Sequence, residues 1–522
     1  MAGPSSHVPG AGALAAACAA LYLWTAPGRI SFPDDEIVFQ TTQSLVERGS
    51  LAIAGIPRRT GEPKGRPDGT FGWAPGPHGE RYGFFGHGLS FVAAPMYALA
   101  RATAPRVPFA WTRAVRSDHY TFHVREARSD WTRLVVSLTN CFVTAASVWV
   151  LVRWLARVGF SSHVALWTGV AYAIGTSAWP YARTLLSEPL SALLLLLAAL
   201  AIVSAQALRE AAPRTADRRL WSAGLIAGLL PHVHVLNVIA LPCLVGYALA
   251  PAWTSGHVRR DGWGRACAAE LRRGWRGWLG AAALACAGLG LLLVGQWLRF
   301  GDPLETGRFG HYSGWTTPWE GLWAQMAAPG RSFWLYSPAA ALGLVGLRTA
   351  IRRAPAATMF AGAVLVTRLV FVSGRTDWFG GWGIGPRYLV PAIPLVMIGF
   401  AGAIEALPRW SRTRRAGFWA AWVAGVALMG HLATHSIFEW MWALMRDARL
   451  EGRPYLEVSH AAWWASPIAG FLGLKMDVLA VGALALARLG HAGLLLGFVA
   501  VGGIGAWGAV AVGRALWRGR RS

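Results

Sequence analysis

Residues 190–201 read LSALLLLLAALA, and residues 281–297 read AAALACAGLGLLLVGQW. Neither stretch contains a charged residue. The hydrocarbon core of a bilayer requires about 20 consecutive apolar residues per spanning helix, whereas a soluble protein alternates apolar and polar faces. Because such apolar stretches recur along the whole chain, the sequence predicts a membrane protein with many spanning helices.

The overall composition agrees with a membrane protein. Hydrophobic residues make up 54% of the chain and charged residues 14%, against about 25% charged residues in an average soluble domain. The 29 Trp suit the membrane interface, although ordinary aromatic packing explains them equally well. The five Cys have no CxxC spacing, so they predict neither a disulfide framework nor a metal site.

The net charge of +24 has two explanations. Nucleic-acid binding is one, and the enrichment of Lys and Arg in short cytoplasmic loops is the other. The arginines gather in every second connection between apolar blocks, which favours the cytoplasmic loops and makes a nucleic-acid partner unnecessary. These loops contain Arg153 and Arg157; Arg209, Arg214, Arg218 and Arg219; Arg259, Arg260, Arg265, Arg272, Arg273 and Arg276; Arg348, Arg352 and Arg353; and Arg409, Arg412, Arg414 and Arg415.

The apolar blocks and basic loops together predict the topology. Arg29 follows the first span with no Lys or Arg before it, which favours the opposite orientation or a cleaved signal peptide, but five consistent loops outweigh it. The predicted spans are 11–27, 132–152, 163–180, 189–208, 220–232, 235–252, 278–298, 332–347, 356–373, 388–406 and 417–437, with one or two more between 467 and 515. The predicted regions are a first transmembrane helix (1–28), an extracytoplasmic loop (29–131), a transmembrane core (132–437) and an outer loop with C-terminal transmembrane helices (438–522).

The long first loop has two recognisable parts. Residues 57–82 are rich in Gly and Pro and predict an irregular surface segment. Residues 88–102 are apolar but short and contain Pro95, so they predict an interfacial helix that lies on the membrane.

Five polar clusters, far apart in sequence, fall on the outer side of this topology. They are PDDE at 33–36, Ser187 with Glu188, His232 with His234, residues 299–314, and residues 378–388. Such convergence indicates a shared extracytoplasmic cavity, to which we also assign Trp382, Tyr388 and His87.

The acidic and histidine clusters each have a structural alternative. The acidic residues at 34–36 can be solvated loop residues. Glu188 opens a long apolar run, where a buried carboxylate is costly unless it is paired or functional, and Arg183 is a possible structural partner. His232 and His234 are two residues apart and lack further ligands, so they do not predict a metal site.

The basic residues of the outer clusters suit a phosphate. Arg308, His311, Arg375 and Arg387 have glycines nearby, which allow close approach, and Arg offers a bidentate fork. Anchoring to lipid head groups is the alternative. Arg368 lies inside an apolar block and has to snorkel or pair.

Several motifs resemble a known family. An Asp–Glu pair after the first span is followed by Phe39 and a helix that ends in LVERGSL at 45–51. The other motifs are GTSAWPY at 175–181, LSEPL at 186–190, RFGDPLETG at 299–307, LYSP at 335–338 and GGWGIGPRYL at 380–389. Between about 30 and 405 the chain resembles the GT-C membrane glycosyltransferases, which include protein O-mannosyltransferases, aminoarabinose transferases and bacterial family 39-like proteins.

The resemblance implies a donor and a set of site residues. The donor would be a sugar linked to a polyprenyl phosphate, used on the outer face with inversion at the anomeric carbon. Asp35 would be the general base with Glu36 beside it, and Asp34 leaves that assignment open by one position. Arg387, then Arg308 and Arg375, would hold the phosphate together with His311. Relatives often carry a Lys in the segment matching 82–90, where this chain has His87, so His87 replaces it or the donor differs.

We therefore expect an all-α, polytopic, GT-C-like membrane protein with about 12 transmembrane helices and juxtamembrane helices in its first outer loop. It would transfer a sugar to a lipid, glycan or protein acceptor at the outer face of a bacterial plasma (inner) membrane. No cofactor is expected, and a divalent metal is left open. A transporter or lipid flippase is the rival class, which predicts mid-membrane charges and repeats, and an inactive scaffold is a third alternative.

Overall fold

The computed structural model describes residues 8–54, 72–108, 127–254, 262–308, 314–488 and 493–519. The model is 75% helical with almost no strands. Six helices of the described residues are long and apolar enough to cross a membrane: Asp130–Arg157, Glu188–Leu208, Trp275–Phe300, Pro355–Ser373, Arg387–Arg409 and Gly493–Gly519. The protein is accordingly a helical, multi-pass membrane protein.

The part of the chain up to residue 300 contains the first loop and three of the six long apolar helices. Helix α1 (Ala11–Thr25) and helix α2 (Pro33–Arg48) precede a hairpin of strands β1 (Trp73–Pro75) and β2 (Arg81–Gly83). The helices that follow are α3 (Gly88–Thr103), α4 (Ala127–Ser137), α5 (Thr139–Arg157), α6 (Ser162–Gly175), α7 (Ala178–Ala182), α8 (Glu188–Leu208), α9 (Pro213–Val233), α10 (Leu241–Ala248), α11 (Ala250–Thr254), α12 (Trp263–Arg273) and α13 (Trp275–Phe300). A 3-10 segment, Val235–Ala240, connects α9 to α10.

The C-terminal half is more broken. Its helices are α14 (Trp319–Ala327), α15 (Pro338–Gly343), α16 (Leu347–Arg353), α17 (Pro355–Ser373), α18 (Ile393–Val396), α19 (Ile398–Ala406), α20 (Arg412–Leu432), α21 (Ile437–Met445), α22 (Tyr455–Ala461), α23 (Pro467–Gly470), α24 (Leu479–Arg488) and α25 (Gly493–Gly519). The 3-10 segments are Leu344–Gly346, Arg387–Ala392, Leu407–Arg409, Ala448–Leu450 and Trp463–Ala465.

The helices match most of the predicted spans, with differences at particular residues. The predicted span 332–347 is wrong at its start, because helix begins only at Pro338 and the chain turns through 328–337. The helix predicted at 88–102 is present as α3, and its position on the membrane stays a prediction. Part of the irregular segment predicted at 57–82 is instead the β1–β2 hairpin, and the rest of that segment lies outside the described residues. The total of about 12 spans also stays a prediction.

Helix packing brings distant segments to one place. Helix α5 packs against α1, α6 and α8, while the segment Arg387–Ala392 packs against α8. Helix α2 packs on α3, and α3 packs on α4. As a result, the starts of α2 and α8 and the segment that begins at Arg387 share one region, and that region contains the site.

Helices α9 and α13 form a second, very close pair. A Cβ added to Gly224 would lie 2.2 Å from the carbonyl oxygen of Ala281, so the two backbones touch where a side chain does not fit. Outside this contact α13 is largely exposed, as expected for a helix that faces lipid.

Candidate functional site

An arginine held between two carboxylates forms the centre of the site. The Nη1 atom of Arg387 donates to Asp34 Oδ2 at 2.6 Å, and its Nε atom donates to Glu188 Oε1 at 2.7 Å. Arg387 and Glu188 are buried, whereas the Asp34 side chain keeps 15% of its accessible surface. We call Asp34, Asp35, Glu188 and Arg387 the acid–arginine cluster.

Two helix N-termini position the carboxylates of this cluster. Pro33 is the first residue of α2, so Asp34 and Asp35 fall in its first turn. Glu188 is the first residue of α8. Negative charge is stabilised at a helix N-terminus, because the unpaired backbone N–H groups and the helix dipole point towards it. The sequence therefore places acidic side chains where the backbone helps to hold them.

Asp35 is the most deeply buried aspartate of the cluster. It is 1% exposed, and its Oδ1 atom has no hydrogen-bond partner among the described residues. The carboxyl accepts one backbone hydrogen bond from Leu185. Burial raises the pKa of Asp35 well above its usual range; the charges of Asp34 and Glu188 add to this, whereas Arg387 opposes it. Asp35 is thus a desolvated, strongly basic carboxylate with one free oxygen.

Glu36 points away from this cluster. It is fully buried and accepts two hydrogen bonds from Arg133, at 2.8 Å to Oε1 and 3.0 Å to Oε2. Gln40 donates a third at 3.1 Å, and the Arg133 guanidinium also stacks over Phe39. Both oxygens of the Glu36 carboxylate are thus hydrogen-bonded. Glu36 was predicted to lie beside the general base, but in the structure it forms an ion pair that joins α2 to α4.

A glycine-rich loop carries Arg387, and a second arginine holds that loop. Arg331 is fully buried and donates to the carbonyl oxygens of Gly381, Gly383 and Gly385. In the described part of the chain it forms no salt bridge. Gly385 has a φ of 68°, and a Cβ there would lie 2.6 Å from Tyr336 Cβ, which explains the glycine. Arg331 is not among the site residues predicted from the sequence, where its position four residues before the LYSP motif is the one available signal.

The other predicted phosphate ligands pair with Asp377. Arg375 binds it through Nε at 2.7 Å and Nη2 at 3.0 Å, and Arg308 binds it at 3.1 Å. Arg308 also hydrogen-bonds to the Tyr388 side chain. One carboxylate thus faces two guanidinium groups, which leaves a local excess of positive charge. His311, predicted with them, lies outside the described residues.

The three histidines predicted to line the cavity have two different environments. His232 Nε2 donates to the Gly288 carbonyl at 2.8 Å, so its Nδ1 is the acceptor in the neutral ring. His87 Nε2 then donates to that Nδ1 at 3.2 Å. This leaves His87 Nδ1 as a buried acceptor that lacks a partner among the residues described. His234 instead accepts from the Leu236 N–H and packs near the Tyr388 ring.

Two small open cavities adjoin these residues, and each has about 400 Å³ of empty space when the adjoining open solvent is included. The first is lined by Phe32, Tyr181, Arg183, Gly383, His435 and Asp477. The second is lined by Phe84, His87, His234, Gln296, Arg299 and Arg308. Arg299 there donates to the backbone of Gly83 and to Gln296. Arg299 and Arg308 make the second cavity electropositive, and His87 lies in its wall.

The structure also gives the contacts of three further residues named in the sequence predictions. Arg183, suggested as the structural partner of Glu188, instead donates to the carbonyls of Thr25, His435 and Asp477. Arg368 is buried and pairs within the protein, because it donates to the Asn237 side chain and to the Tyr388 carbonyl. Trp382 stacks on Tyr455 with ring centroids 4.7 Å apart, so it lies in an aromatic stack of the C-terminal part.

The five polar clusters thus converge, and their arrangement defines what the site can do. A desolvated carboxylate can remove a proton from a hydroxyl, and a nearby guanidinium can stabilise negative charge on an oxygen. No group of three or more His, Cys, Asp and Glu side chains in the described ranges is arranged to hold a metal ion. Acid–base chemistry next to an electropositive cavity is the function these residues can support directly.

Comparison with known proteins gives structural neighbours only. No family model and no curated protein matches the chain. ArnT from Cupriavidus metallidurans bound to undecaprenyl phosphate is similar at 17% identity and a TM-score of 0.48, covering 97% of this chain and 76% of that one. The apo state of the same protein gives 17%, 0.47, 96% and 74%.

An archaeal structure is similar as well. It is the oligosaccharyltransferase from Archaeoglobus fulgidus, tethered to an acceptor peptide, at 12% identity and a TM-score of 0.46, with 88% of this chain and 59% of that chain covered. ArnT and this oligosaccharyltransferase are GT-C superfamily members, the superfamily that the sequence motifs resemble.

Proposed function

We propose that this protein is an inverting glycosyltransferase that moves a sugar from a polyprenyl-phosphate donor to an acceptor hydroxyl of a lipid, glycan or protein on the outer face of the membrane. The observation that carries the proposal is Asp35, a buried carboxylate with one free oxygen beside Arg387. Perturbed carboxylates of this kind are typical of general acid–base sites. The motif resemblance supplies the substrate class.

Asp35 is the base in this proposal, and Asp34 and Glu188 hold Arg387. The hydrogen-bonded oxygen of Asp34 faces Arg387 at 2.6 Å, so taking up a proton there would weaken an ion pair. Asp35 has a free oxygen, and its desolvation makes it more basic. Because Asp35 is 1% exposed, acceptor binding has to open the first turn of α2.

The electropositive cavity takes the donor in this proposal. Arg308 and Arg299 line it, and both are cations that suit a phosphate diester. Burial lowers the pKa of His87 to about 3, so His87 is neutral at physiological pH. His87 is therefore not a cationic substitute for the Lys of the relatives. In this proposal its buried Nδ1, which has no partner among the described residues, accepts a hydrogen bond from a sugar hydroxyl of the bound donor.

The test is a pair of isosteric variants in purified protein supplied with a polyprenyl-phosphate sugar and acceptor. Asp35→Asn removes the basic oxygen, so release of polyprenyl phosphate should fall at least ~10²-fold, the usual scale for loss of a general base. Asp34→Asn is the matched control and should reduce turnover less, because Glu188 still holds Arg387. If Asp34→Asn abolishes turnover while Asp35→Asn retains it, the base is Asp34.

Two outcomes would reject the proposed reaction itself. Near-full activity in both variants would remove the acid–arginine cluster from the chemistry. Movement of an intact lipid-linked sugar across the bilayer, with no release of polyprenyl phosphate, would identify the protein as a flippase.

A further inference from the structure

A cleft of about 990 Å³ opens between four helices, away from the acid–arginine cluster. Its walls come from the start of α6, the end of α19, the start of α20 and the end of α25. The segments that contain α19 and α25 are long and apolar enough to cross a membrane. A cleft between such helices opens towards the bilayer, so its occupant has to be a lipid or another membrane-embedded segment.

Tryptophan side chains form one wall of this cleft. Trp167 of α6 contacts Trp419 and Trp422 of α20, with ring centroids 5.1 and 6.1 Å apart, and the two α20 rings are 5.6 Å apart. All three line the cleft and are partly buried. Val423 continues the wall and is 59% exposed. This surface is apolar and suits an acyl chain.

Two arginines lie on the same side of α20 as the tryptophan wall. Helix α20 begins at Arg412, and Arg415 follows three residues later and lines the cleft itself. Trp419 and Trp422 come four and seven residues after Arg415, so all four side chains fall on one face of the helix. Long side chains of a helix lean towards its N-terminus. The guanidinium groups therefore lie at the open end of the cleft, beyond the apolar wall.

The charge at this end of the cleft is positive. Glu405 is the acidic residue of the lining, and its Oε1 lies 3.8 Å from Arg353 Nε, which offsets its charge. Within the described ranges neither Arg412 nor Arg415 forms a salt bridge. The two guanidinium groups are therefore left to bind an anion from outside the described chain.

The length of the cleft matches one leaflet of a bilayer. Arg415 and Val423 are eight residues apart, which is about 12 Å along a helix at ~1.5 Å per residue. The hydrocarbon of one leaflet is about 15 Å thick, half of the ~30 Å core. With the arginines at the level of the lipid head groups, the tryptophan wall thus lies at the depth of the acyl chains.

We propose that this cleft binds an anionic glycerophospholipid, with its phosphate on Arg412 and Arg415 and an acyl chain along the tryptophan wall. Basic pockets between membrane-spanning helices bind anionic head groups in general. The cleft contains none of the residues of the acid–arginine cluster, and the inference does not rest on the proposed glycosyltransferase activity.

The test is a lipid titration of the full-length protein in detergent, followed by native mass spectrometry. Phosphatidylglycerol and phosphatidylcholine of equal chain length are the two probes. We expect a phosphatidylglycerol adduct at lower lipid concentration than any phosphatidylcholine adduct. Arg412→Gln with Arg415→Gln should weaken phosphatidylglycerol binding roughly 25-fold, about fivefold for each arginine. Arg265→Gln with Arg272→Gln removes the same charge from α12, outside the cleft, and should leave binding unchanged.

A second pair of variants tests the apolar part of the cleft. Gly513 lines the cleft, and a Cβ there would meet no atom within 4 Å, so a side chain at this position enters open space. Gly513→Trp should therefore fill the cleft and abolish the phosphatidylglycerol adduct. Gly503→Trp is the matched control, because Gly503 lies on the same helix, is exposed, has equally open surroundings and does not line the cleft.

Four results would overturn the proposal. Equal affinity for the two lipids would remove the preference for an anionic head group. Equal weakening by the α12 double variant would show a general attraction of charge. An unchanged adduct in Gly513→Trp would place the lipid elsewhere. A dimer that forms with rising protein concentration, and that Gly513→Trp abolishes while no lipid adduct is seen, would assign the cleft to a second copy of the chain.

Discussion

Replacing Glu36 with Gln should destabilise the fold, because Glu36 is engaged in an ion pair with Arg133 that joins α2 to α4. Glu36 is 0% exposed and the Arg133 side chain 7% exposed. The two hydrogen bonds between them, at 2.8 and 3.0 Å, form a bidentate contact. Loss of this contact should therefore lower the free energy of unfolding, whether or not it also affects catalysis.

The size of the effect follows from the burial of this pair. Removing one member of a buried ion pair costs ~3–5 kcal/mol, because the other charge is left unpaired. Glu36→Gln keeps the shape and one acceptor, so we expect the lower end of that range. Arg133→Met leaves a buried carboxylate without its cationic partner, although Gln40 still donates to it at 3.1 Å, so we expect the upper end. Either value is a large fraction of the ~5–15 kcal/mol that stabilises a typical domain.

The assay is unfolding of the purified protein in detergent, followed by tryptophan fluorescence, for the two single variants and the double variant. The double variant removes both charges, so its loss should be clearly smaller than the sum of the single losses. Glu210→Gln is the control, since the Glu210–Arg273 pair is mostly exposed and its loss should leave unfolding unchanged. Normal stability combined with lost turnover in Glu36→Gln would refute the structural role and restore the catalytic role predicted from the motif.

Three further predictions follow from single side chains. Arg387→Lys should reduce kcat/KM by about 10–100-fold, because an ammonium cannot keep both charge-assisted hydrogen bonds, each worth ~1.5–3 kcal/mol; unchanged polyprenyl phosphate release would contradict this role, and Arg375→Lys is the milder control. Arg331→Lys should speed hydrogen–deuterium exchange in the loop 380–386, because three carbonyls lose the guanidinium that fixes them; exchange equal to that of the native protein would count against it. Asp35 has a raised pKa in the folded state, so its contribution to stability is complete below the unfolded pKa of about 4 and is lost as the pH rises through the folded pKa. Asp35→Asn should remove this loss and unfold at a higher temperature than the native protein at neutral pH, and a lower unfolding temperature would oppose the assignment.

Much of the fold could be predicted from the sequence because bilayer thickness sets the length of an apolar helix. The predicted spans 189–208 and 356–373 differ from α8 and α17 by one residue at an end. Broken helices were harder to predict. At the start of the predicted span 332–347, residues 332–337 (SFWLYS) look apolar enough to be helical. The Arg331 and Ser332 N–H groups nevertheless donate to the Ala328 carbonyl in a turn, and Pro338 starts the helix.

The sequence allowed us to predict which residues form the site, but not which of them pair with each other. Acidic residues after a span and arginines beside glycines are visible in sequence, and Asp34, Glu188 and Arg387 do meet. Which carboxylate takes which arginine depends on contacts between residues far apart, such as Glu36 with Arg133, 97 positions away. The same applies to Arg331, whose partners are carbonyl groups that carry no sequence signal.

The shared arginine also couples donor binding to the basicity of Asp35. Arg387 shares its single positive charge between the carboxylates of Asp34 and Glu188. It also lowers the pKa of Asp35, but burial raises that pKa by more. A donor phosphodiester bound at Arg308 would add negative charge to the same region, because Arg308 lies close enough to Asp34 for their charges to interact. The Asp35 pKa should therefore rise further when the donor is bound.

This coupling can be measured from two pH profiles. The acid limb of kcat/KM reports the pKa of the base in the free enzyme, and the acid limb of kcat reports its pKa in the enzyme–donor complex. The donor phosphodiester does not titrate in this range, so it does not contribute a limb of its own. Since the base must be ionised, both quantities should rise with pH, and the limb in kcat should lie at the higher pH. Asp35→Asn should lose both limbs, whereas Asp34→Asn should keep them. Coincident limbs, or a lower one in kcat, would mean that the phosphate binds too far from Asp35 to influence it.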